Sequence, residues 1–311
     1  MELKEGVNYL DLFSGIGGFR YGFEKAGYKI NWSGHSEIDK PAQRVYERHW
    51  SASKRLGDIT TVESFQLPQI DLLTFGFPCQ DLSIAGQRKG LAGKRSGLFY
   101  EAMRIIRATS PTIFIFENVK GLLCSDGGRD FVRILREIAD LGVYECEWQL
   151  LNTRWLLPQN RERIFFIGHL RGKSRTQVFP FREDDFVYQG KRITAHSPQC
   201  VNTLDANYYK GWQKHGQRSM IIQYPHGYNK GSVKDLPTIR SCNSFSQNEL
   251  LLLDSSAFSL RCLTPIECER LQGFPDGWTE GESDTQRYKM LGNAVSTVIS
   301  ELIGRRLKIN Q

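Results

Sequence analysis

The chain has 311 residues, 40% of them hydrophobic, with 41 Lys+Arg against 34 Asp+Glu, a net charge of +7 and a pI near 9.0. That length allows one large domain or two smaller ones, and no apolar run reaches membrane-spanning length. The start, MELKEGVNYLDLF, lacks a signal peptide's basic region and long apolar stretch, and the seven cysteines (79, 124, 146, 200, 242, 262 and 268) form no CxxC and no zinc pattern with a His pair. A cytoplasmic protein with reduced thiols, no metal and no membrane association is expected.

In chain order, 7-VNYLDLF-13 predicts a buried strand that runs into the glycine turn 14-SGIGG-18. A helix over 19–27 follows, with Gly27 as its stop. A second strand, 29-KINWSGHSE-37, ends in an acid, and 39–50 predicts another helix. The strand 71-DLLTF-75 leads into the loop GFPCQDLS, and a helix over 97–109 halts before Pro111. The strand 112-TIFIFEN-118 ends in Glu117 and Asn118. A helix near 128–141 then precedes strands over 143–151 and 163–170.

Strands alternating with helices imply a doubly wound, mostly parallel α/β sheet. Such sheets bind ligands outside the carboxyl ends of their strands, and the glycine turn, Glu37, Cys79 and Glu117 all fall at predicted strand ends. After about residue 171 the chain turns rich in Gly, Lys, Asn and aromatics, which predicts a second, irregular, β-rich domain over 171–283. From Arg171 to Asp254 there are 12 Lys/Arg and 7 Asp/Glu, so most of the positive excess lies where a polyanion would be gripped. In 264-TPIECERLQ-272, Thr264, Pro265 and Glu267 carry the marks of a capped helix start. The stretch 284–307 predicts a loop and then an amphipathic helix returning to the first domain, which thus comprises 1–170 and 284–311.

The turn Phe13-Ser14-Gly15-Ile16-Gly17-Gly18 lets the backbone approach a bound nucleoside, and Glu37 suits ribose hydroxyls. Arg20 stands where a pyrophosphate-binding turn has its third glycine, which permits a cofactor without phosphates, such as S-adenosylmethionine. Asp58 is either a surface aspartate or an acceptor for an adenine amino group. Cys79, between Pro78 and Gln80, is either inert or a thiolate aimed into a cleft. The Glu117 carboxyl at its rim suits proton donation, or is a solvated strand end. Gln159, Arg161 and Arg163 alternate, so in an extended stretch they share one face and bind an anion or a base edge, or form salt bridges.

Together, DLFSGIGG, GFPCQDLS, FENVKG, QNRERIFFIG, RCLTPIECERLQGFPDGW and KMLGNAVS, in this order across residues 9 to 298, resemble the motifs of the DNA cytosine-5 methyltransferases of bacterial or phage restriction–modification type. The resemblance implies the S-adenosylmethionine-dependent methyltransferase fold, Rossmann-like, with the variable target-recognition region over roughly 171–260, within the target-recognition domain 171–283. It implies Cys79 as nucleophile, Glu117 as the acid that holds the cytosine, and Arg163 as a support for the base, with Gln80, Asn118 and Arg161 also in the catalytic set. S-adenosylmethionine would meet Phe13, Ser14, Gly15, Gly17, Gly18, Glu37, Ile38, Asp58, Ile59, Gly76, Pro78, Asn293 and Val295. Ile38 departs from the family, which often has a larger side chain against the adenine. The expected partner is double-stranded DNA, bound by a monomer. An RNA cytosine methyltransferase of this architecture, or a homologue that binds DNA without catalysing, are the alternatives.

Overall fold

The computed structural model describes residues 4–77, 97–173, 176–182, 201–202, 204, 220–223, 238–239, 259–307 and 309. Pro78, Cys79 and Gln80, with most of the basic stretch after residue 182, lie outside the described residues.

The first half of the chain alternates strand and helix: β1 (Lys4–Leu12), α1 (Gly18–Lys25), β2 (Tyr28–Ser36), α2 (Lys40–His49), β3 (Lys54–Arg55), β4 (Leu72–Phe75), α3 (Leu98–Thr109), β5 (Ile113–Val119), α4 (Arg129–Ala139), β6 (Tyr144–Asn152), β7 (Gln159–Asn160) and β8 (Glu162–Leu170). Seven strands form one sheet in the order β3-β2-β1-β4-β5-β8-β6. Neighbours from β3 through β5 are parallel, and β8 pairs antiparallel with β5. Strand order reverses at β1, with β2 on one side and β4 on the other. Ligands of doubly wound sheets bind at such a switch point.

Register fixes what meets there. Leu12 pairs with Ser36 and with Phe75, and Phe75 pairs with Phe116. The next residues, Phe13, Glu37 and Gly76, therefore leave the sheet along one rim, where Glu117 loses its parallel neighbour and stays paired with Phe165 of β8. Below them, Leu10, Leu12, Leu73, Phe75, Phe114 and Phe116 are fully buried in the core. Phe116 stacks between Phe75 and Phe166, with ring centroids 4.7 and 4.4 Å away. Continuous apolar runs such as IFIF read as buried parallel strands because helices cover both sheet faces.

The C-terminal part holds β9 (Val201–Asn202), β10 (Met220–Gln223), β11 (Thr238–Ile239), β12 (Ser259–Cys262), α5 (Pro265–Gln272), α6 (Asp284–Asn293) and α7 (Thr297–Arg306). β10 pairs antiparallel with β11 and β12, and β7 pairs parallel with β9. At the start of α5, Thr264 and Glu267 form a complete capping box. Where a loop was expected after residue 284, there is a helix, α6. Its apolar residues are few, so amphipathic periodicity does not announce it.

The chain divides into two compact units, one of residues 1–151, 162–181 and 295–311, the other of 152–161 and 182–294. α7 belongs to the first unit and α6 to the second. α7 packs on α1 through small residues: a Cβ on Gly22 would meet the Ser300 Cβ at 2.4 Å and the Thr297 carbonyl at 2.6 Å. Lys25 on α1 pairs with Glu301 on α7 at 3.0 Å.

Candidate active site

The glycine turn is built from left-handed backbone. Phe13 has φ 52°, Gly15 φ 53° and Gly17 φ 84°. For Phe13, a non-glycine, this costs about 1–2 kcal/mol, offset by the surrounding contacts. The Ser14 N–H donates to the Ser36 carbonyl at 3.0 Å and the Gly15 N–H to Glu37 Oε2 at 2.9 Å. These bonds join the ends of β1 and β2. A Cβ on Gly17 would meet the Trp50 ring at 2.1 Å, and one on Gly18 the Val295 carbonyl oxygen at 2.3 Å. Arg20, in the place of the third glycine, is buried; it donates to Ser33 Oγ at 2.9 Å and lies 4.7 Å from the Trp50 ring centroid. Its guanidinium is committed behind the turn.

Glu37 is gripped from several sides. Oε1 accepts the Ile38 and Asp39 N–H groups at 2.9 and 2.8 Å, and Oε2 accepts Gly15. A carboxylate has about four acceptor sites, so roughly one, on Oε2, is left for an incoming hydroxyl. Burial raises the Glu37 pKa, opposed by these backbone donors. Ile38, beside it, is 71% exposed and offers an apolar surface. The turn Gly57-Asp58-Ile59 adjoins this strand end, because Ser36 Oγ donates to the Gly57 carbonyl at 2.7 Å. Asp58 caps the following 3₁₀ turn: Oδ1 accepts both the N–H and the hydroxyl of Thr60 at 2.9 Å. Ile59 is buried.

Further along the rim, Glu117 Oε1 pairs with Arg163 Nε at 2.9 Å. Antiparallel register explains the contact: Glu117 lies opposite Phe165, so Arg163, two residues away, is its diagonal neighbour on the same face. A Cβ on Gly76 would lie 3.6 Å from Glu117 Oε2 and 3.9 Å from a Val295 methyl. Gly76 and Val295 thus stand between the glycine turn and the acid. Asn118 is buried, with Oδ1 accepting the Val119 N–H at 2.8 Å.

The alternating polar residues split in their partners. Only Arg163 meets Glu117. Gln159 is buried and donates to the Leu271 carbonyl at 2.9 Å. Arg161 is buried and donates to the carbonyls of Leu204, Gly292 and Ala294 at 3.2, 3.2 and 2.8 Å. Two of these flank Asn293, the exposed last residue of α6, so Arg161 caps a helix end.

Two features escaped the sequence reading. Asp11, fully buried on β1, accepts from Thr74 Oγ1 at 2.9 Å, and Tyr9 donates to Thr74 at 2.5 Å. Burial pushes the Asp11 carboxyl up to about 7, against the Thr74 and Tyr9 hydrogen bonds and the Arg20 charge. Arg104 on α3 donates to the carbonyls of Ile59 and Val62. An aspartate inside an apolar strand was the available signal for the first; nothing local marks the second.

Among solved structures, the chain shares its fold with the S. pombe Dnmt2 methyltransferase and with the Entamoeba histolytica methyltransferase EhMeth. Each has a TM-score of 0.66 at 19% identity, covering 96% of this chain and 97% of the other. The fold is therefore that of methyltransferases. The model of the C-5 cytosine-specific DNA methylases matches residues 7–309, and the chain belongs to that family. It is 34% identical to the Type II methyltransferase M.NlaX of Neisseria lactamica over 96% of this chain and 95% of the relative. It is 32% identical to M.HpaII of Haemophilus parainfluenzae over 98% and 90%. The protein is a DNA cytosine-5 methyltransferase of the restriction–modification type. Among the described residues no helix is long and apolar enough to cross a membrane.

Proposed function

We propose that S-adenosylmethionine is the methyl donor, and that Cys79, Glu117 and Arg163 transform a cytosine flipped out of double-stranded DNA. The observation that carries this reading is the rim itself: the Glu37 carboxylate and the Asp58 turn follow the ends of β2 and β3, and the Glu117–Arg163 pair stands on β5 and β8 along the same edge. The residues suit this donor. Glu37 would hold the ribose through Oε2, Ile38 would cover the purine, and Asp58 would hold its amino group through Oδ2. Phe13, Ser14, Gly15, Gly17, Gly18, Ile59, Gly76 and Val295 form the backbone and walls, with Pro78 and Asn293 assigned by resemblance alone. No phosphate need be met, since Arg20 turns away behind the turn. Bound there, S-adenosylmethionine supplies an electrophilic methyl group.

Carbon 5 of cytosine is too weak a nucleophile unaided. Addition of the Cys79 thiolate to carbon 6 makes carbon 5 enamine-like. Glu117 gives its proton to ring nitrogen 3 and so absorbs the charge of the attack. Arg163 holds the Glu117 carboxyl in place for that transfer. Gly76 lies beside Glu117, and Cys79 follows it by three residues, about 11 Å of chain at most. After transfer a base takes the hydrogen from carbon 5, Cys79 leaves as the thiolate, and ring nitrogen 3 returns its proton to Glu117. Inside a duplex neither face of the ring is reachable, so the base must leave the stack. The basic 171–283 segment grips phosphates and reads base edges. Asn118, Arg161 and Gln80 support this machinery, and the enzyme works as a cytoplasmic monomer.

The test is a covalent trap. Fluorine on carbon 5 cannot leave as a cation, so DNA made with 5-fluorocytosine should be methylated once and stay attached. A detergent-stable band should appear only with S-adenosylmethionine, vanish in Cys79→Ser and persist in Cys146→Ser. No band from wild type, with a preparation that methylates ordinary DNA, would sink the covalent mechanism.

A further inference from the structure

The turn that carries Asp58 is short, exposed and held from two directions. On one side Ser36 Oγ donates to the Gly57 carbonyl at 2.7 Å. On the other stands Arg104, in the middle of α3. Its Nη2 donates to the Ile59 carbonyl and its Nη1 to the Val62 carbonyl, both at 3.1 Å, while Glu101 Oε2 accepts from Nε at 2.8 Å. One guanidinium therefore spans the end of the 3₁₀ turn whose first residue is capped by Asp58. The planar fork is suited to this: two donors at fixed separation meet the carbonyl of the first residue of the turn and that of the residue just after it. Glu101 fixes the fork from the third side. Asp58 itself uses Oδ1 on Thr60, which leaves Oδ2 as the oxygen that an outside donor can approach.

We propose that Arg104 is a positioning residue that sets Asp58 Oδ2 for the exocyclic amino group of the donor's purine, so that a helix remote from the transferred methyl group determines preference for adenine over hypoxanthine. The inference rests on the Asp58 contact put forward above. Geometry makes the dependence sharp. Ile59 and Val62 are buried and keep the turn against the core. The Asp58 carbonyl is itself held by Thr61, whose N–H and hydroxyl donate to it at 3.0 and 2.9 Å. Arg104 holds the next carbonyl along, that of Ile59, together with that of Val62 just beyond the turn, and so sets how the whole turn, and the cap with it, lies against the core. Glu101 acts through Arg104 and should show the same effect more weakly.

Calorimetric titration with S-adenosylhomocysteine and with S-inosylhomocysteine, in which a carbonyl replaces the amino group, tests this. Wild type should prefer the adenosyl ligand by about tenfold or more, the worth of a hydrogen bond to a charged group. Asp58→Ala should abolish most of the preference. Arg104→Met should lower it at least about threefold with inosyl affinity little changed, and Arg104→Lys should fall between, because an ammonium is not a fork. In the Asp58→Ala background, Arg104→Met should change the ratio no further. Arg104→Met with the wild-type ratio, or with both ligands weakened equally, would overturn the proposal, the second outcome marking a support of the fold alone. Should the methionine variant not fold, the ratio in Arg104→Lys decides. An unchanged ratio in Asp58→Ala would remove the amino-group contact, and the Arg104 inference with it; a lost ratio there with an unchanged one in both Arg104 variants would remove Arg104 alone.

Discussion

At the scale of the residue, desolvation raises the proton affinity of two carboxyls, half-buried Glu37 and fully buried Asp11, whose hydrogen bonds differ. Glu37 meets three backbone N–H groups, from Gly15, Ile38 and Asp39, so its charge is solvated by the protein. Asp11, fully buried, is met instead by hydroxyls, that of Thr74 donating to Oδ1 at 2.9 Å. Glu37→Ala should weaken S-adenosylmethionine binding by about 1–3 kcal/mol by calorimetry, much of it through the loosened Gly15 turn; wild-type affinity would remove Glu37 from the donor site. Asp11 should make stability pH-dependent. Its pKa rises from 3.8 to about 7 on folding, so between these values the folded state holds the proton that the unfolded state has lost. Stability therefore falls as pH rises through that window. Asp11→Asn mimics the neutral form and should gain on wild type, by roughly 2–4 kcal/mol at pH 8 relative to pH 4. Urea midpoints of the two proteins that stay parallel from pH 4 to pH 8 would refute it.

At the scale of the element, the glycine turn is held by what lies behind it. Gly18 opens α1 and has the Val295 carbonyl where a side chain would go. Backbone cannot swing aside as a flexible side chain can. Gly18→Ala should thus cost about 1–3 kcal/mol of stability and loosen the donor site, read as a lower melting temperature and a higher KM for S-adenosylmethionine. An unchanged melting temperature would mean that residues 293–295 are free to withdraw. The strand-end acid shows the same logic. Arg163 reaches Glu117 because the β5–β8 register sets Phe165 opposite Glu117 and so makes Arg163 its diagonal neighbour.

At the scale of the whole molecule, charge is unequally distributed along the chain, with 12 Lys/Arg against 7 Asp/Glu between Arg171 and Asp254. If that segment grips phosphates, binding releases counterions and weakens with salt. Neutralising Lys210, Lys214 and Arg218 together should weaken DNA binding and lower the slope of log affinity against log salt by up to about 3, roughly one for each lost phosphate contact. A slope equal to that of wild type would place these residues away from the phosphates. They lie outside the described residues, so the expectation stands on charge alone.

Much of the fold was legible because its signals are local. VNYLDLF and TIFIF are mostly apolar, as strands covered on both faces must be, and Gly27 and Pro111 stop helices by their own backbone chemistry. Thr264, Pro265 and Glu267 spell a helix start within four residues. The motif order likewise named the family before any coordinates, since the types of residue follow from the chemistry they serve. Helix α6 was not legible, because its burial comes from partners remote in sequence. The alternating pattern by itself left Arg161 and Arg163 equivalent, two arginines on one stretch, and only the resemblance singled out Arg163. Tertiary structure separated them: Arg161 is spent on the carbonyls of Leu204, Gly292 and Ala294, and Arg163 on Glu117. It also gave Asp11 its unusual proton affinity and Arg104 its hold on the Asp58 turn, because desolvation and hydrogen-bond direction depend on neighbours 40 or more residues away, and no local pattern encodes them.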